Sequence, residues 1–343
     1  MNCCKNKTLL PQKTAGLFRI VFEIMVLCHH LYQPVSVLGR RINSLLGPIA
    51  VAGFLIISGY GVGKSYLKKG EDYLTNLLKK RIPNTYATIV LTNLFYLSFF
   101  FITKDSFKSV WGFITSVLYL PISKDYVVLS NWVYFMADLL IYYVIFFVVM
   151  KIFKKKKKRL VLTAVTMLVM CAVIIVILTI INNQTGSSRY LRACVAFPVG
   201  LLLSEWDDVI CQFLTTYKRL TFLGVLVLAI IATGLSYNNR MYSEYFANTF
   251  FALSLIIHSF GGRVKGKYVD FLSKNVLYVY LVHEWAFKMI RYINRDIHFM
   301  VDMLIVIVFS VSVALLINCV KTLRERKIGV MHKKLGSVTK DAP

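Results

Sequence analysis

Acidic residues are scarce in this chain. Sixteen Asp and Glu stand against 41 Lys and Arg in 343 residues, a formal net charge of +25. Charged residues of both signs reach only 17%, against about a quarter in a soluble globular domain, so a surface solvated all round is excluded. The seven cysteines show no CxxC spacing, which removes the common zinc and dithiol redox sites; the five other than Cys3 and Cys4 read as small buried hydrophobes. HExxH and GxSxG are both missing, and with them the zinc-hydrolase helix and the nucleophile elbow. The stretch FLIISGYGVGKSYLKK, residues 54 to 69, ends its glycine run in Gly63-Lys64-Ser65 but has Ser58 where a phosphate loop needs its first glycine. A bound metal or cofactor is not expected, nor is a cleaved leader, because the polar start MNCCKNKTLLPQK lacks the apolar stretch and small-residue cleavage site of one.

What the chain has is hydrocarbon. Hydrophobic residues make up 57% and are gathered into long runs. A membrane helix needs roughly 20 such residues. Runs of this kind start near Leu17, Leu45, Thr85, Trp132, Leu160, Leu191, Leu220, Glu244, Val269 and Phe299. The expected fold is therefore all-α, a polytopic transmembrane helix bundle of about ten spans. The sixth run, LRACVAFPVGLLLSEW, is short and holds a proline, and residues 107 to 121 form an apolar stretch too short to cross. Lys and Arg concentrate in the N-terminal tail, the even-numbered loops and the C-terminal tail. By the positive-inside rule both termini are cytoplasmic, in a multi-pass protein of the inner or plasma membrane. Residues 1–16 form a cytoplasmic tail, 17–320 the membrane domain and 321–343 a basic tail. The excess charge, including KKKKKR at 154 to 159, is then a topology signal touching anionic lipid. The bilayer is a partner; nucleic acid is not.

Ionisable groups at membrane depth are expensive and nominate function. The first span holds Arg19, Glu23, His29 and His30. At about 100° per residue, Glu23 lies about 40° and His30 about 20° from Arg19, while His29 falls about 80° to the other side. Arg19, Glu23 and His30 share a stripe, on which Arg19 and Glu23 have the spacing of an i,i+4 ion pair; His29 reads as structural. Asp138 lies in the fourth span, and His283 and Glu284 in the ninth. His30 and His283 both fall in the outer half, which makes a shared cavity the expectation. His258 reads as structural. Lys79, Lys80 and Arg81, after Lys64, Lys68 and Lys69, form an inner basic cluster able to hold phosphates. A polar packing seam without chemistry is the alternative for the stripe. A transporter or flippase for a lipid-linked glycan, relaying protons through intramembrane His and Glu, is the rival function, although no inverted repeat relates the two halves.

Taken in order, these pieces resemble the integral-membrane acyltransferase family 3, which O-acylates glycans and other acceptors. Arg19 and His30 stand eleven residues apart in the first span, FLIISGYG resembles the family's FF-x-x-SG segment, and KKRIPNTY resembles its basic loop. NWVYFMADLLIYY and Tyr280-Leu281-Val282-His283 are similar to its fourth-span and late elements. The chain departs from the family at Leu78, where an arginine precedes Arg81 in the family's pair, at Asp138 in place of Glu, and at Val276 in place of Ser. The resemblance implies an O-acyltransferase, commonly an O-acetyltransferase, that takes acyl-CoA from the cytoplasm as co-substrate and passes the acyl group to a hydroxyl of a glycan or lipid-linked saccharide. It implies His30 as general base with Glu23 and Arg19 supporting it. It also implies Arg81, Lys79, Lys80, Ser58 and Gly59 at the donor, and Asp138, His283, Trp132 and Tyr280 around the acceptor or cavity.

Overall fold

The computed structural model describes residues 8–31, 37–103, 106–130, 133–156, 158–182, 193–237, 242–262, 264, 266–293, 301–317 and 319. Among them the regular structure is helical throughout and no strand occurs. In chain order the helices are α1 (Gln12–Leu31), α2 (Val37–Lys69), α3 (Glu71–Asn76), a π-helical turn (Leu77–Arg81), α4 (Ile82–Ile102) and α5 (Val110–Val117). Then come α6 (Val133–Ile152), α7 (Arg159–Asn182), α8 (Ala196–Glu205), α9 (Asp207–Tyr237), α10 (Tyr242–Ser259), α11 (Lys267–Ile293) and α12 (Val301–Ile317).

Among the described residues, four helical stretches, Asn43–Lys69, Glu71–Ile102, Val133–Ile152 and Asp207–Leu235, are long and apolar enough to cross a bilayer. They differ in what their apolar surface meets. In α2, 72% of the most apolar window is buried in protein, whereas in α9 only 11% is. Phe213, Leu220, Leu223, Val227 and Ile230 of α9 are exposed. Such a surface is stable against hydrocarbon and not against water. The membrane protein expected from composition is thus seen as an exposed apolar belt around a buried central helix.

The sixth run does not make a spanning helix: α8 covers only ten residues. The reason lies in its packing. A Cβ on Gly59 of α2 would come within 2.1 Å of the Phe197 carbonyl oxygen, and one on Gly200 within 2.3 Å of that of Ile56. Two glycines therefore let α2 and α8 touch backbone to backbone, as small residues do between membrane helices. Residues 107 to 121 supply the short α5, capped by Ser109, whose hydroxyl accepts from the Gly112 N–H. Asn93 of α4 donates to the Ser116 and Val117 carbonyls and ties α5 down.

Two basic residues expected at the membrane surface are tied to acids of the bundle. Lys64 pairs with Asp207 at 2.9 Å, and the same carboxylate accepts from the Leu9 N–H. Arg159, the last residue of KKKKKR, is 6% exposed; it donates to the Met150 carbonyl, to Tyr66 and to Glu71. Glu71 also pairs with Lys151. Gly70, at φ +56°, makes the reversal from α2 into α3 that sets Glu71 there. These two acids clamp α2, α3, α6, α7 and α9 at the basic end of the bundle.

Candidate active site

Two cavities open at that basic end and share a wall. The first, about 550 Å³, is lined by residues including Lys69, Tyr73, Asn76, Lys80, Arg81 and Asn84. The second, about 360 Å³, lies deeper and includes Arg19, Ser58, Arg81, Tyr143, Lys274 and Tyr280. Arg81, Thr85, Met136 and Leu277 line both. Among the described residues, five cations face the joined space and no Asp or Glu does. A chamber of that composition is an anion site by charge alone.

Arg81 sits at the junction because the π-helical turn carries it there; such turns are frequent at functional sites. Its guanidinium donates to Tyr73 Oη at 2.9 Å and to Tyr143 Oη at 2.7 Å, with its carbon 4.5 Å from the Tyr143 ring centre. Two neutral hydroxyls thus hold the side chain in place without neutralising it. Further N–H groups remain for a bidentate anion. Lys80 lies on the same wall. Lys79, one residue back on the same turn, is exposed and lines neither cavity. Gly59 is likewise absent from the lining: its missing side chain is space taken by α8. Ser58, its neighbour, does line the deeper cavity.

The stripe of the first span divides. Arg19 is exposed on the cavity wall, and no ion pair forms between it and Glu23. Glu23, one turn on, is 4% exposed and turned to α11, where its Oε1 lies 3.7 Å from His283 Nδ1. The expected pair fails because α11 packs against α1 at that level and offers the nearer partner. His283 stacks on His30, with ring centres 5.8 Å apart and planes at 16°. The two histidines expected in one place are therefore in contact. Tyr280 packs edge-on to His283 at 5.7 Å and also lines the deeper cavity, so it forms the wall between cation chamber and histidines.

His29 points elsewhere. Its Nδ1 is 2.6 Å from the Asn43 carbonyl, and Asn43 Nδ2 donates back to the His29 carbonyl. His258 packs against Phe222. Glu284 is buried and receives hydrogen bonds from Ser130 and Lys288. Asp138 is buried on α6 and lines neither cavity. Trp132 lies outside the described residues. Sequence reasoning did not single out Tyr73, Tyr143 or Lys274 for the site. Lys274 had a signal, a lysine nine residues before His283 in an apolar stretch; the tyrosines had none apart from the fold. Among the described residues, no group of His, Cys, Asp and Glu has the arrangement of a metal site.

A family model described as an acyltransferase domain matches residues 16–319. No curated protein and no solved structure matches the chain.

Proposed function

The chain belongs to acyltransferase family 3, and from that premise we propose that this membrane acyltransferase moves an acyl group, commonly acetyl, from cytoplasmic acyl-CoA to a hydroxyl of a cell-envelope glycan or lipid-linked saccharide. One observation carries the donor half: among the described residues, five cations and no carboxylate line the joined cavities at the basic end of the bundle. Phosphates of CoA suit Arg81, Lys80 and Lys69, and Arg81 is pre-set by its two tyrosines, which lowers the ordering cost of binding. The pantetheine arm follows the deeper cavity past Ser58 and Arg19. From Arg19 to His30, α1 rises eleven residues, about 16 Å at 1.5 Å each, a span that an extended arm must cover to bring its thioester to the histidines.

There His30 removes the proton from the acceptor hydroxyl, a role that suits an imidazole near neutrality. The hydroxyl oxygen forms the new C–O bond at the thioester carbonyl, the C–S bond breaks, and the departing thiolate takes the proton from His30. Glu23 supports the base from two turns below. The flippase reading draws no support from the family match. The test is a comparison by mass spectrometry of cell envelopes from wild type and a His30→Ala strain. Loss of an ester-sized mass increment supports the reading; identical envelopes from a strain with normal protein level sink it.

A further inference from the structure

Glu23 and His30 lie on one face of α1 but seven residues apart, about 10 Å along the axis. That is too far for direct contact. The side chain between them comes from α11. His283, 1% exposed, turns Nδ1 to within 3.7 Å of Glu23 Oε1 and lays its ring nearly parallel to His30. Both carboxyl oxygens of Glu23 are buried without a hydrogen-bond partner among the described residues. At membrane depth such a group persists only where another charge or dipole compensates it.

Resting on the acyl-transfer reading above, we infer that His283 is the positioning residue through which Glu23 acts on His30. Glu23, 3.7 Å from Nδ1, orients the His283 ring, which in its neutral form presents a π face to His30. A neutral aromatic face is a favourable neighbour for a cation. His30 becomes that cation when it takes the hydroxyl proton. His283 thus sets the ring plane of the base and stabilises its protonated form, and needs no contact with either substrate. The proton travels from hydroxyl to His30 to thiolate; none passes to His283 or Glu23.

The experiment is a coupling measurement on the full-length protein in liposomes, with acetyl-CoA as donor and an extract of envelope glycans as acceptor, followed by thiol release. Glu23→Gln and His283→Phe should each lower kcat by about tenfold or more, with the KM for acetyl-CoA unchanged, and the double variant should be no slower than His283→Phe alone. A merely structural role would not give that kcat-only loss or that coupling. Losses that multiply in the double variant would overturn the inference, as would full activity in His283→Phe. If the Phe variant does not fold, His283→Gln provides the background, in which Glu23→Gln must again add nothing. His30→Ala is run alongside. Inactive His30→Ala beside active His283 variants ends the positioning role and leaves the acyl-transfer reading standing; active His30→Ala ends that reading itself.

Discussion

Adjoining turns of α1, one facing the cavity and the next facing α11, handle polar groups at membrane depth in opposite ways. Arg19 is exposed on the wall of a cavity that it shares with Arg81 and Lys274, and among the described residues no acid lines it. Glu23 and His283, higher in the bundle, are 4% and 1% exposed and face each other. The lower region is an open, uncompensated positive field, which draws an anion in from water. The upper one is closed, and its few polar groups are buried against one another. In the function proposed above, binding and chemistry are thus separated along a single helix, with Tyr280 between the two regions.

The sharpest way to break that division is at the top. His30→Ala should lower acyl transfer by about a hundredfold to ten-thousandfold, the usual contribution of a general base, while acetyl-CoA still binds. Steady-state kinetics in liposomes read this, with thermal stability as the control. At the bottom, Arg81→Ala removes a charge-assisted contact to phosphate worth about 1.5–3 kcal/mol. The KM for acetyl-CoA should rise accordingly, by roughly ten- to a hundredfold. Arg81→Lys should recover only part of it, since an ammonium cannot reproduce the fork that the two tyrosines hold.

Two further variants touch neither end directly. Gly59→Val puts a side chain where the Phe197 carbonyl lies and should cost about 1–3 kcal/mol of stability. A lowered melting temperature with near-normal KM in the surviving protein is the expected outcome; an unchanged melting temperature would contradict the close crossing of α2 and α8. His29→Ala should matter least. It loses the contact with the Asn43 carbonyl, worth about 0.5–1.5 kcal/mol, and should keep most of the activity that His30→Ala abolishes.

The contrast between these neighbouring histidines was legible in sequence, because a 100° step separates them and the stripe through Arg19 selects His30. The helical class, the membrane setting and the basic inner cluster follow from composition and run length. What did not follow is what the other helices bring. An i,i+4 spacing promised an Arg19–Glu23 pair, and α11 supplied Glu23 with His283 instead. Lys79, Lys80 and Arg81 look equivalent in the sequence, but a π-helical turn points Lys80 and Arg81 into the cavity and leaves Lys79 outside. Gly59, placed at the donor by the family resemblance, is instead spent on a helix crossing. Tyr73 and Tyr143 are 70 residues apart and meet only through Arg81. In each case the deciding contact is long-range, and periodicity within one helix carries no information about it.

The separation of binding from chemistry is tested most directly by titrating acetyl-CoA calorimetrically into purified His30→Ala and Arg81→Ala proteins of equal thermal stability. The account predicts near wild-type affinity for His30→Ala, which no longer transfers, and an affinity weakened by roughly tenfold or more for Arg81→Ala. Equal affinities in the two variants, or weaker binding by His30→Ala than by Arg81→Ala, would contradict it.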